Sequence, residues 1–345
     1  MAPQTQQAWI IERRGEPKDA LSFKVDWPVP SKLAKGEVLV KVEAAALNPV
    51  GYKIMRALPN FIARRPIPAE YDLAGIIEDP NDSQFTKGDS VFGVIHTMMS
   101  LKIREGALQQ YARVPAGYLI RRPQNITPIE AAGVTLAAET AWQALFGCAG
   151  FEAGQTIFIN GGSSSVGAFA IQIAKAKGAA RVVASASGQN EEFVKSLGAD
   201  EFIDYTKQPL HEYLTQNPPS PKFHIIFDAV AVKDPSLFTY SPAYLAPGGT
   251  FVSTGSIQGL HPFNLVLKTA FAMLWPSWLG GVPRAYRIVS LAHDASALEA
   301  IRQLLLEGKL KPVVDSVYGF KDVLLAYERI MTSRAKGKVV VMVDS

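Results

Sequence analysis

The stretch FINGGSSSVGAFAIQIAKAKGAARVVASASG, Phe158 to Gly188, holds the residues whose spacing bears most directly on chemistry. Gly162, Ser164 and Gly167 occupy the three positions of a G-x-G-x-x-G turn. In such a turn the first glycine permits the bend, the second lets backbone approach a pyrophosphate, and the third lets the following helix pack on the strand. Ser164 adds only a small side chain at the middle position. The N–H groups of Ser163, Ser164, Ser165 and Val166 fall at a predicted helix N-terminus, which favours phosphate oxygens, and the serine hydroxyls add donors. A glycine turn alone says little; its place between an apolar strand and an apolar helix makes it informative.

The next strand narrows the ligand. A protein that binds the unphosphorylated dinucleotide usually ends this strand with Asp or Glu, which accepts the ribose 2′-OH. Here the residues are Ser185, Ala186, Ser187, Gly188, Gln189 and Asn190. A carboxylate would repel a 2′-phosphate, whereas neutral donors accommodate one. The expected cofactor is NADPH. No Arg or Lys follows Ser187 directly, so Lys53, Lys207 or the Tyr205 hydroxyl are the compensating candidates.

These residues need elements to hold them. Before Thr127 the chain is dense in short β-like runs, among them Glu37–Leu47, Tyr71–Asp79, Gly88–Ile95 and Ala107–Pro115, separated by turn signals such as Lys87-Gly88-Asp89. That spacing predicts a mostly antiparallel, barrel-like domain. From Thr127 the texture changes: Thr127, Pro128 and Glu130 read as N-cap, first helical residue and capping-box acid. Nearly continuous apolar strands then alternate with helices, the pattern of a doubly wound parallel sheet. Strand-like pieces return near the end. The expected arrangement is a β-rich domain (1–130 and 288–345) split around an α/β domain (131–287).

Composition is that of an ordinary soluble protein: 345 residues, 48% hydrophobic, net charge +4 with no long Lys/Arg block, which does not favour a nucleic-acid tract. The single cysteine, Cys148, rules out an intrachain disulfide and a cysteine zinc cage. The five histidines show no ligand spacing, so no metal site is expected. The segment Asn264–Gly281 is the most apolar but contains Lys268 and Pro276 and is short for a bilayer span. With no leader signal visible, a cytoplasmic protein is the default expectation.

Taken together the motifs resemble the medium-chain dehydrogenase/reductase superfamily, and most closely its zinc-free quinone oxidoreductases and fungal trans-acting enoyl reductases. The matching pieces are AALNPVGYK (Ala45–Lys53), DLAG (Asp72–Gly75), GDSVFG (Gly88–Gly93), AAGVTLAAETAWQAL (Ala131–Leu145), GGSSSVG, SLGADEFIDY (Ser196–Tyr205), IIFDAV (Ile225–Val230), LAPGGTFVSTG (Leu245–Gly255), GKLKPVV (Gly308–Val314) and AKGKVVV (Ala335–Val341). The resemblance implies a GroES-like catalytic domain and a Rossmann cofactor domain with NADPH in the cleft between them. It assigns Ser163–Val166 to the pyrophosphate, and Ser187, Asn190 and Tyr205 to the 2′-phosphate. Thr140, Thr254 and Lys338 fall near the nicotinamide or the cofactor's edge, and Asn48, Lys53, Val230 and Gly255 join that set. A homodimer is carried over as an expectation.

Departures from the family pattern accompany these matches. Zinc-dependent members place cysteine near Asn48 and histidine at Tyr71, and neither is present. A zinc-polarised alcohol is excluded on those grounds. Gly51 stands where NPxD motifs carry aspartate, and Glu70 where glycine is common.

Without a metal, an electron-poor acceptor fits best: a quinone, or a C=C conjugated to a carbonyl. Asn48 is the candidate donor to the acceptor oxygen, and Tyr52 and Tyr71 are the candidate proton donors, although turn formation and packing would explain the same residues. Phe263, Phe271, Met273, Trp275 and Trp278 could line an apolar pocket, a core or a dimer interface. Two alternatives stand beside this reading: an enoyl reductase acting in trans with a polyketide synthase, and a catalytically silent NADPH-binding scaffold suggested by Gly51 and Glu70.

Overall fold

The computed structural model describes residues 2–231, 234–255, 275 and 279–343. The chain divides into two units, Met1–Ala137 with Ala292–Ser345, and Ala138–Leu291.

The first unit is built on β1 (Thr5–Ile11), β2 (Leu21–Pro28), β3 (Glu37–Ala46), β4 (Ile67–Pro68), β5 (Asp72–Asp79), β6 (Ser90–Val94), β7 (Tyr111–Pro115) and β8 (Leu119–Arg121). The later segment adds β15 (Val314–Gly319) and β16 (Lys338–Met342). Seven strands form one sheet in the order β15-β16-β3-β5-β6-β8, with β7 also on β3, and β2-β1-β4 form a second. In β3, Val38, Val40 and Val42 alternate inward and are buried, each worth about 1.5–3 kcal/mol in apolar burial. Trp9 packs into the same core and donates from Nε1 to the Phe320 carbonyl at 2.7 Å.

One junction in this unit positions the chemistry. Strand β16 runs antiparallel to β3, with Val340 opposite Ala46, and β5 lies on the other side of β3, with Asp72 opposite Ala46. The first residue of β16, the residues just past β3 and the first residue of β5 therefore meet. Those residues are Lys338, Asn48 and Asp72.

Among the described residues the second unit holds a six-stranded parallel sheet: β9 (Thr156–Asn160), β10 (Arg181–Ala186), β11 (Glu201–Asp204), β12 (Phe223–Asp228), β13 (Leu245–Ser253) and β14 (Ala285–Ile288). Their order is β11-β10-β9-β12-β13-β14. This is the 3-2-1-4-5-6 order of a dinucleotide-binding sheet, whose switch point lies between β9 and β12. All five residues of β9 are buried, as a central parallel strand covered on both faces requires. Trp275 is partly exposed and donates to the Leu279 carbonyl. Phe263, Phe271, Met273 and Trp278 lie outside the described residues.

Candidate active site

The glycine turn follows β9 and opens the twelve-residue helix Ser165–Ala176. Ser164 is the N-cap: its hydroxyl donates to the Gly161 carbonyl at 2.7 Å and accepts from Gly167 N–H at 3.0 Å. That cap accounts for serine at the middle motif position. The positive φ of the bend, +85°, falls on Gly161, which corrects the assignment of the tight turn to Gly162. Gly162 instead gives clearance, since a Cβ there would lie 3.0 Å from Ala184 Cβ and 3.1 Å from Ile171 Cδ1. Gly167 is needed for close packing: its Cβ would fall 2.1 Å from the Gly161 carbonyl oxygen. The N–H groups of Ser165 and Val166 have no partner among the described residues, as expected of a helix's first turn. N–H groups left open at a helix N-terminus are able to bind an anion.

Beyond β10, Asn190 links two serine hydroxyls. Asn190 Nδ2 donates to Ser187 Oγ at 3.0 Å and to Ser163 Oγ at 3.4 Å, which leaves both hydroxyl protons to point elsewhere. Asn190 Oδ1 is buried and lacks a partner among the described residues, an acceptor that a ribose hydroxyl would satisfy. The exposed Tyr205 follows β11. The sequence reading missed Asp204: in register it ends β11 beside Ala186, and its carboxylate lies against Gly188, where a Cβ would be 2.5 Å from Oδ2. Thr206 N–H and hydroxyl both donate to Asp204 Oδ1, at 3.0 and 2.7 Å. Those Thr206 bonds hold the acid below the usual carboxylate range, so the corner is not free of negative charge.

A buried polar relay crosses the carboxyl ends of the central strands. Ser185 donates to Asn160 Oδ1 at 2.8 Å, Asn160 Nδ2 donates to Asp228 Oδ1 at 2.9 Å, and Ser253 donates to Asp228 Oδ2 at 3.4 Å. This relay fixes the edge from which Val230, Thr254 and Gly255 emerge. Thr254 N–H is held on the Asp228 carbonyl at 3.1 Å. Val230 is half exposed and packs over Gly161, while Thr140 is buried on the helix Thr135–Trp142.

In the first unit the strand junction brings together a network that the sequence reading saw only in part. Lys338 Nζ donates to Asn48 Oδ1 at 2.6 Å and to Asp72 Oδ2 at 2.7 Å. Asn48 Nδ2 donates to Asp72 Oδ2 at 3.0 Å and to the Ala46 carbonyl at 3.2 Å. Asp72 Oδ1 accepts from Leu136 N–H at 2.9 Å. All three side chains are buried. With both amide hydrogens committed within the unit, Asn48 is positioned as a link in this network and has no free N–H for an acceptor oxygen, unlike the expectation from sequence.

Two more buried groups, Glu70 and Tyr327, join it. Tyr327, from the helix Val323–Met331, donates to Glu70 Oε1 at 2.7 Å, and Asn48 N–H donates to Glu70 Oε2 at 3.0 Å. Burial pushes the Glu70 carboxyl up to about 7, against the hydrogen bond from Tyr327 and the charge of Lys338. Tyr71 is buried; desolvation and then the charge of Glu70 raise its hydroxyl far above the ordinary value, and it bonds Thr97. Tyr52 is mostly buried, with Arg56 stacked 4.8 Å over its ring, and its hydroxyl has no hydrogen-bond partner among the described residues. Lys53 is half-buried on the same helix. Among the described residues no three His, Cys, Asp or Glu side chains gather as a metal-holding cluster. No helix among them is long and apolar enough to cross a membrane.

Known proteins resemble this chain over nearly its whole length. Residues 34–124 match the model of the alcohol dehydrogenase GroES-like domain, and residues 197–341 match that of the zinc-binding dehydrogenases. A trans-enoyl reductase of Aspergillus terreus is 33% identical over 99% of this chain and 97% of its own. A chloroplastic NADPH-dependent alkenal/one oxidoreductase of Arabidopsis thaliana is 32% identical over 98% of this chain and 80% of its own. Among solved structures, the quinone oxidoreductase of Coxiella burnetii superposes with a TM-score of 0.81 at 25% identity, covering 98% of this chain and 99% of its own.

Proposed function

Because the chain belongs to the medium-chain dehydrogenase/reductase superfamily, we propose that it is an NADPH-dependent reductase of conjugated C=C bonds in α,β-unsaturated carbonyl compounds. The observation that carries the cofactor is the donor set around one helix N-terminus: open N–H groups at Ser165 and Val166, and two serine hydroxyls turned into donors by Asn190. The relatives named as trans-enoyl and alkenal/one reductases support the acceptor class, and the quinone oxidoreductase supports quinones as further acceptors.

The nicotinamide, when bound, supplies the hydride. In this reading Ser163, Ser165 and Val166 hold the pyrophosphate, and Ser187, Asn190 and Tyr205 hold the phosphorylated ribose, with Gln189 beside them. The relay Ser185–Asn160–Asp228–Ser253 keeps Val230, Thr254 and Gly255 at fixed height along the sheet edge. In the other unit, the buried Lys338–Asp72 pair, bridged by Asn48, holds Asn48 and the helix it opens in one place. Tyr52, whose hydroxyl is uncommitted, is the proton donor in this proposal; the Tyr71 hydroxyl stays protonated and orients. A homodimer and a cytoplasmic location complete the proposal.

The test follows NADPH and NADH consumption by the purified protein with a conjugated enone, an enoyl thioester and an ortho-quinone. Loss of NADPH in preference to NADH with the enone or thioester is expected. Preference for NADH would overturn the cofactor assignment, and turnover of the quinone alone would overturn the acceptor class.

A further inference from the structure

Asn48 opens the helix Pro49–Ala57, and the third residue inside that helix is Gly51. An acid at this third position commonly reaches back to the N–H of the capping residue. The chain does so locally at Thr127, whose N–H donates to Glu130 Oε2 at 2.7 Å. At Asn48 the equivalent bond comes from a different part of the chain: Asn48 N–H donates to Glu70 Oε2 at 3.0 Å.

The two positions share one volume. A Cβ on Gly51 would lie 2.3 Å from Glu70 Oε1 and 2.9 Å from its carboxyl carbon. Glu70 reaches this place at φ +63°, a left-handed conformation that side-chain-bearing residues rarely adopt. Tyr327 then pins the second oxygen at 2.7 Å. The left-handed conformation of Glu70 and the missing side chain of Gly51 both serve the same hydrogen bond from Asn48 N–H.

We propose that Glu70 is a displaced helix cap and a positioning residue for Asn48, and that one carboxylate, at 51 or at 70 but not at both, can fill this place. It fixes the Asn48 main chain, and through it the Asn48 side chain between Lys338 and Asp72.

The kinetic arm of the test rests on the proposed reductase activity; the thermal arm does not. Wild type, Gly51→Asp, Glu70→Gly and the double variant are compared by melting temperature and by kcat and KM for NADPH and an enone, with Glu70→Gln as a folded isostere. Glu70→Gly is expected to lower kcat roughly tenfold while KM moves little, the signature of lost positioning. Gly51→Asp alone should melt lower, because two carboxylates then meet at one N–H. The double variant should return to within about threefold of wild-type kcat and close to its melting temperature, a coupling that independent sites do not show. A double variant that melts no higher than the sum of the single effects allows would overturn the proposal. If wild type reduces no acceptor, the reductase reading fails while the melting temperatures still decide whether a carboxylate at either position can fill this place.

Discussion

Lys338 Nζ lies 2.7 Å from Asp72 Oδ2, with the two side chains 2% and 0% exposed. A pair sealed this well is costly to break from one side, because the remaining charge is left without solvent or partner. Lys338→Met should cost about 3–5 kcal/mol, read as a fall in the denaturant midpoint. Adding Asp72→Asn removes the stranded charge and keeps one acceptor oxygen, for Leu136 N–H, while its amide N–H can pair with the Asn48 oxygen that Lys338 has left. Stability should then recover in large part, and reductase activity should not.

Glu70 carries a pH signature. Its carboxyl rises from 4.5 to about 7 on folding, chiefly through burial. The folded chain therefore holds a proton that the unfolded chain has released between those values. Stability from this group is fully present below pH 4.5 and is lost as pH rises through 7, at about 1.4 kcal/mol per pH unit inside the window. Glu105, buried and raised to about 7 for the same first reason, acts in the same direction. The difference between wild type and Glu70→Gln isolates Glu70. Wild type should lose stability relative to the variant across pH 4.5–7, and parallel curves would refute the assignment.

How much was legible in sequence depended on distance along the chain. The Thr127–Glu130 capping box spans three residues and is present as read, with Thr127 Oγ1 accepting from Glu130 N–H at 3.2 Å. Strands β9 and β12 announced themselves as apolar runs. In the glycine turn the bend was legible, but which of two adjacent glycines takes the positive φ was not, because both are equally able to. Asp72 and Lys338 are 266 residues apart, and only the registers of β3 with β5 and β16 bring them into contact. Glu70 read as a lost glycine because a cap supplied from 22 residues away has no local pattern. Asp204 was missed because it reaches its corner from a neighbouring strand.

The phosphate turn offers a paired contrast. Gly167→Ala would place a methyl 2.1 Å from the Gly161 carbonyl oxygen, so backbone must move where the pyrophosphate is proposed to sit. NADPH binding, followed by fluorescence titration, should be lost. Ser164→Ala removes only the cap hydroxyl, at a cost of about 1 kcal/mol in stability, and should leave measurable binding.

Cofactor choice can be pushed in one direction. Gln189 is exposed between Ser187 and Asn190, with no cation in the sequence beside it. Gln189→Arg should tighten NADPH binding about tenfold, equivalent to about 1.4 kcal/mol, and leave NADH unchanged. Equal gains for both cofactors would show that the 2′-phosphate lies elsewhere.

The insertion of one unit into the other also sets a schedule. At about 5–20 residues per second, the 266 residues between Asp72 and Lys338 take roughly 13–53 s to synthesise. All of Ala138–Leu291 is made in that interval. On a ribosome the phosphate turn is thus complete while Asp72 still awaits its lysine. The pairing of β16 with β3, and with it the Lys338–Asp72 contact, can form only after every residue of the second unit has been made.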